Sequence, residues 1–167
     1  MSAAILQVVG YQNSGKTLFI ETFIKEAKNR GLKIGVIKHH GHGKPDVYDR
    51  KKDTGRHRHA GAVVTGVSGD GLLSINAMNE KEWELEKIIS VYSSFELDLI
   101  MIEGYKRHHF PRVVMLRDHR DDGLLVGSMI KAIVTQGSQL PNTQSYHVQD
   151  INKCIDHLLE ELQNGVL

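Results

Sequence analysis

The segment Gly10-Tyr11-Gln12-Asn13-Ser14-Gly15-Lys16-Thr17 constrains this chain more than any other. It matches the pattern G-x-x-x-x-G-K-[ST]. It also follows a short apolar run, Ile5 to Val9, and opens a stretch in which Leu18, Phe19, Phe23, Ile24 and Ala27 recur at helical spacing. Glycines let such a loop turn tightly enough for successive backbone N–H groups to point at phosphate oxygens. The helix behind it adds the positive end of its dipole. Lys16 is then placed to reach the β- and γ-phosphates, and the Thr17 hydroxyl to complete the oxygen shell of Mg2+. Gly10, Gln12, Asn13, Ser14, Gly15, Lys16 and Thr17 are therefore the expected contacts of a nucleoside triphosphate. The plainer alternative is a glycine turn carrying an exposed lysine. The strand before the loop and the amphipathic helix after it favour the phosphate reading.

The pattern around the loop predicts the architecture. Gly31 ends the first helix, and Lys33 to Lys38 reads as a second strand, which completes a βαβ unit and implies a parallel sheet. Ala62 to Ser68 and Leu72 to Asn76 read as a hairpin joined by Gly69-Asp70-Gly71, and Asn79 with Glu82 reads as the capped start of a helix running to about Ser94. Leu97 to Ile102, Val113 to Leu116 and Ala132 to Thr135 are further strands. Asp150 is expected to cap a last helix with an apolar face of Ile151, Ile155, Leu158, Leu159 and Leu162, and Cys154 beside it is a small core filler. The expectation is an α/β fold, a three-layer sandwich of the P-loop NTPase type, with a mostly parallel sheet and an antiparallel hairpin. Residues 1–167 are expected to form a single nucleotide-binding domain.

Composition narrows the setting. Hydrophobic residues make up 40% and charged residues 25%, and the net charge of +1 is too small to imply a nucleic-acid or membrane partner. No apolar run approaches the roughly 20 residues that span a bilayer. The start, MSAAILQVVG, lacks a basic region and reads as a strand, not a signal peptide. A single cysteine allows no intrachain disulfide and points to a reducing, cytoplasmic setting.

A P-loop needs a carboxylate near its metal. Glu103 ends the most apolar strand and is the expected metal-binding or water-positioning acid, with Gly104 permitting close approach to phosphates. Asp98, at the other end of that strand, reads as a turn residue. Asp53 is a second candidate for water or metal. Its alternative is an ion pair with Lys52 or Arg56 on a solvated face. It lies in a long polar segment where Lys38, Lys44, Arg50, Lys51, Lys52, Arg56 and Arg58 face Asp46, Asp49 and Asp53. Those cations are candidates for gripping phosphate or for plain surface charge. The chain also holds ten histidines. His39, His40 and His42 follow the second strand, His57 and His59 lie further along, and His108 and His109 follow Glu103. They could bind a transition metal, touch an anionic ligand, or be solvated. No tight spacing such as HExxH selects a metal site.

Taken together, GYQNSGKT, GVIKHHGH, DRKKDTGRHRHAGA and LDLIMIEGYKR resemble the MobB-type molybdopterin-guanine dinucleotide biosynthesis proteins over roughly residues 3 to 135. The resemblance implies a GTP-binding adaptor with weak intrinsic GTPase activity. It also implies a homodimer with strands joining across subunits, and as partner the guanylyltransferase that joins GMP to molybdopterin. A phosphorylated, molybdopterin-type ligand is a further candidate. By motif match, Gly15, Lys16 and Thr17 would carry the phosphate and Mg2+ contacts, with Asp53 and Glu103 near the metal. The hairpin, or the segment Arg112 to Arg117, offers the strand edge for dimer contact. The Asn/Thr-Lys-x-Asp element that many guanine-specific proteins use is absent. The corresponding strand ends AIVTQGS, so Thr135 and Gln136 are the candidate base contacts, and GTP over ATP is implied by the resemblance alone. Two other readings stand beside it: a nickel-type metallochaperone GTPase, suggested by the histidines, and a P-loop small-molecule kinase or ATP-dependent ligase, suggested by the basic loop.

Overall fold

The computed structural model describes residues 3–41, 53–127, 129–138, 140 and 144–167. In chain order the elements are β1 (Ala4–Gly10), α1 (Lys16–Asn29), β2 (Ile34–Lys38), α2 (Asp53–His59), β3 (Val64–Gly69), β4 (Leu72–Ala77), α3 (Leu85–Tyr92), β5 (Leu99–Glu103), β6 (Arg112–Leu116), β7 (Ile130–Thr135), β8 (Ser145–His147) and α4 (Ile151–Gln163). They divide into two compact units, Met1–His39 with Ile88–Leu167, and His40–Lys87.

The larger unit is built on a six-stranded sheet in the order β2-β5-β1-β6-β7-β8, with every neighbouring pair parallel. Such a sheet must be covered on both faces, which is why its central strands read as unbroken apolar runs. β5 and β6 are buried along their whole length. On one face, Phe19, Phe23 and Ala27 of α1 and Ile155, Leu158 and Leu159 of α4 close over Leu6, Val8, Met101 and Met115. Each of the larger side chains contributes about 1.5–3 kcal/mol by leaving water. On the other face, Val9, Val114, Leu116 and Ile133 pack with Leu124, Leu125 and Ile130. Tyr92 covers β2 at Gly35, where a Cβ would lie 2.9 Å from Tyr92 Cδ1 and 2.6 Å from Leu97 Cδ1. Its hydroxyl donates to the Val36 carbonyl at 2.6 Å.

α1 stops where the sequence says it should. Gly31 takes φ +76°, and Leu32 N–H reaches back to the Ala27 carbonyl at 3.0 Å, the 6→1 bond of a glycine-terminated helix. Asp98 also meets its expectation: it sits at the turn before β5, and its carboxylate accepts from Lys33 N at 2.7 Å. Cys154 is fully buried, and burial pushes its thiol up to about 12, so it is an inert filler.

The smaller unit holds the antiparallel pair β3–β4, in register from Val64↔Ala77 to Gly69↔Leu72. Asp70 (φ +47°) and Gly71 (φ +78°) form the two-residue turn, with the positive φ values that match the twist of a hairpin.

Four expectations need correction. The segment read as polar loop contains α2, whose sequence DTGRHRH shows no apolar stripe and buries only Gly55. The helix expected from Asn79 begins at Leu85, because residues 79–84 are mostly charged and the apolar face starts there. Asp150 makes no side-chain cap on α4 and instead pairs with Lys153 at 2.8 Å. The segment Arg112 to Arg117 is not a free edge: β6 is bonded to β1 on one side and β7 on the other. No helix among the described residues is long and apolar enough to cross a membrane.

Candidate functional site

β1 carries the glycine loop to the C-terminal edge of the sheet, between β5 and β6. In open α/β sheets this edge is where ligands bind. Gly10 is required there because an added Cβ would lie 2.3 Å from Ser14 Oγ and 2.9 Å from the Met115 carbonyl. Asn13 (φ +62°) and Gly15 (φ +88°) take left-handed conformations that wrap the loop back on itself. Ser14 is buried, while Gln12, Asn13 and Thr17 face solvent. The Phe19 N–H closes the first helical turn onto the Gly15 carbonyl at 3.0 Å, leaving the N–H groups ahead of it without helical partners.

Lys16 lies folded over this loop. Its Nζ donates to the Tyr11 carbonyl at 2.7 Å and to Ser14 Oγ at 3.4 Å. Burial holds its pKa below the ordinary lysine value, against the attraction of Glu103, and Lys106, Lys38 and Arg117 push the same way as burial. The edge is thus already rich in positive charge, which suits a polyphosphate.

Glu103 ends β5 level with Val8 of β1 and Lys38 of β2. It is buried, and Lys38 Nζ approaches its Oε2 at 3.2 Å. Next to it, Gly104 (φ +94°) and Tyr105 (φ +50°) turn the chain sharply. Gln7, fully buried in β1, pins that turn: its Nε2 donates to the Gly104 carbonyl at 2.9 Å and the Tyr105 carbonyl at 2.8 Å. The His39 ring packs against Tyr105, tilted at 49°, with centroids 4.7 Å apart. The oxygen donors of Thr17 and Glu103 fit a hard cation such as Mg2+.

Arg117, just past β6, tethers the loop from the other side. Its Nη1 donates to the Gln12 carbonyl at 3.3 Å, and its Nε and Nη2 clamp Asp121 at 2.8 and 2.7 Å. That bond pair holds the buried Asp121 carboxyl below its usual range. Lys106 Nζ lies over the Tyr11 ring, 3.9 Å from its centre. Gln136 follows β7, and its Nε2 reaches the Asn13 carbonyl at 3.4 Å. Thr135 is turned inward, its hydroxyl accepting from Gly137 N at 3.0 Å.

Gln7, Lys106 and Arg117 were not among the residues expected from sequence. A glutamine inside an apolar strand was one available signal. An arginine directly after the buried run VVML, as Glu103 follows LIMI, was another.

Asp53 lies in the smaller unit. It is the first residue of α2, largely exposed, with Arg56 Nη1 3.7 Å from its Oδ1. Arg58, also in that unit, donates to Thr65 Oγ1 at 3.0 Å. Lys44, Arg50, Lys51, Lys52 and His42 lie outside the described residues. Among the described residues no three of His, Cys, Asp and Glu converge as a metal-holding group.

Comparison with known proteins identifies one family. A family model described as MobB, molybdopterin guanine dinucleotide synthesis protein B, matches residues 5–136. The chain is 38% identical over 164 residues to a probable molybdopterin-guanine dinucleotide biosynthesis adapter protein of Bacillus subtilis, covering 95% of this chain and 93% of that one. The crystal structure of Bacillus subtilis MobB superposes with a TM-score of 0.81 at 37% identity, over 95% of this chain and 97% of that one. A MobB homolog from Bacillus stearothermophilus superposes with a TM-score of 0.77 at 29% identity, over 96% and 98%.

Proposed function

Because the chain belongs to the MobB family, we propose that it is a nucleotide-binding adaptor in the synthesis of molybdopterin guanine dinucleotide. Its ligand is GTP with Mg2+, its partner the guanylyltransferase that joins GMP to molybdopterin, and its setting the cytoplasm. The observation that carries the nucleotide reading is Lys16, whose ammonium is parked on the Tyr11 carbonyl and Ser14 Oγ, oxygens that phosphate oxygens can replace. Thr17 and Glu103, both of the larger unit, would hold the metal. Bound Mg2+ would neutralise phosphate charge. Gln136, beside the loop, is the candidate base contact, with Thr135 behind it.

Hydrolysis by the isolated chain is expected to be slow. The guanidinium at the loop, Arg117, is committed to Asp121 and the Gln12 carbonyl, so it acts as a tether instead of a free donor to a transition state. GTPases without such a donor are about 10³–10⁵ slower than assisted ones. A homodimer is supported by the hairpin, whose Val64, Val67, Leu72, Leu73 and Ile75 are all exposed. A two-stranded ribbon is marginal by itself in water and gains most from pairing or packing.

Calorimetric titration with Mg–GTP and Mg–ATP tests the proposal. Saturable GTP binding with clearly weaker ATP binding is the expected result. A preference for ATP would sink the adaptor reading and favour kinase or ligase chemistry.

The affinity should also depend on alkaline pH. Burial lowers the Lys16 pKa, so its ammonium loses the proton below the ordinary lysine value of about 10.4. Phosphate binding needs that proton, so GTP affinity should fall as pH rises toward that value. Lys16→Arg, which stays charged, should flatten the profile. The same fall in both proteins would come from the ligand's own ionisation and would refute the assignment.

A further inference from the structure

A second group of cations lies beside the end of β1, around Val9. A pocket of about 100 Å³ is lined by Val9, Lys106, His109, Arg112, Leu124 and Val126, all of the larger unit. About 10–15 Å³ of such space already holds one water, so the pocket is ample for a tetrahedral oxyanion. Arg112 is the unusual member. It is only 5% exposed, yet among the described residues it forms no ion pair. Its Nη2 donates to the Val126 carbonyl, and its Nε is buried with no partner. A buried cation is ordinarily matched by an acid, because an unpaired one bears the full desolvation penalty. The buried carboxylate of the following turn, Asp121, is already held by Arg117. Lys106 adds a second charge, and its ammonium is held below its usual pKa by burial, an effect that Asp121 opposes and Arg117 reinforces.

We propose that this pocket is a second anion site, which takes a phosphate or phosphate-monoester group on Arg112, Lys106 and His109. Arg112 would supply the buried donor Nε, and Lys106 and His109, both exposed, would add donors at the mouth of the pocket. Val9 and Leu124 supply apolar walls. The site does not require a bound nucleotide: none of its lining residues belongs to the glycine loop, and Lys106 is the member that also packs on that loop, over the Tyr11 ring.

The test is a titration of the 15N-labelled full chain, in the Lys16→Ala background, with inorganic phosphate and separately with glycerol 3-phosphate. Sodium chloride at matched ionic strength is the control. The expected result is a saturable shift of the Arg112 Nε–H signal and of the Gly123 and Leu124 amides. The double variant Lys106→Ala, His109→Ala alters only exposed side chains and should weaken that binding by about tenfold or more, since a bond to a charged group contributes about 1.5–3 kcal/mol. Tighter binding of the monoester would mark the group as part of a larger molecule, and binding of phosphate alone would mark a free-ion site. Both support the proposal. Shifts confined to residues 10–17, shifts equal to those from chloride, or binding unchanged in the double variant would overturn it, leaving Arg112 as a tether for Val126.

Discussion

Lys16→Ala is expected to weaken Mg–GTP binding by about a hundredfold or more. A hydrogen bond to a charged group contributes about 1.5–3 kcal/mol, and this ammonium is placed to serve two phosphates, so the gross loss is about 3–6 kcal/mol. Part of it is offset, because binding requires Lys16 to leave the Tyr11 carbonyl and Ser14 Oγ. A net of about 2.8 kcal/mol corresponds to a hundredfold change in Kd. The unliganded protein should not melt earlier by more than a few degrees, since the side chain is only half-buried and removing it relieves a partly desolvated charge. Calorimetry and thermal melting on the same preparation separate the two effects. Undiminished affinity in a folded variant would mean that the loop does not hold the triphosphate.

Phe19→Ala should be the most damaging change to the fold among residues near the site. Phe19 is fully buried on the inner face of α1 and lies 6.1 Å from Phe23, ring centre to ring centre. Truncating a buried phenylalanine costs about 3–5 kcal/mol through lost burial and the cavity left behind. For a chain of this size each kcal/mol lowers Tm by about 2–4 °C, so a fall of about 6–20 °C is expected. Leu18, one position earlier on the same helix, is 58% exposed, and Leu18→Ala should stay within about 0.5 kcal/mol of the parent. GTP should still raise the Tm of the Phe19 variant, because the substitution leaves the loop backbone and Lys16 in place. Equal stability of the two variants would mean that α1 is not packed as described.

These two residues were legible for different reasons. Phe19 follows from periodicity: with Phe23 and Ala27 it defines the buried stripe of α1. Lys16 follows from the glycine pattern between a strand and a helix. The parallel direction of the first strands and the hairpin turn at Asp70-Gly71 were likewise readable, since a βαβ unit and a two-residue turn each depend on residues close in the chain. The misread pieces lacked such a local signal. α2 has no apolar face to announce it, and β8 is only three residues long.

The glycine loop, its lysine and the acid at the end of β5 are local facts, and the sequence alone determined them. The loop's φ values come from neighbouring glycine and asparagine, and an apolar strand must end near the sheet edge whatever packs beside it. Everything that braces the loop was decided by tertiary structure. Arg117 reaches Gln12 across 105 residues, Gln136 reaches Asn13 across 123, and Gln7 pins Gly104 across 97. Those contacts exist because β5 and β6 flank β1 and β7 lies next to β6. Strand order depends on the burial of both sheet faces at once, a condition that no short stretch of sequence expresses.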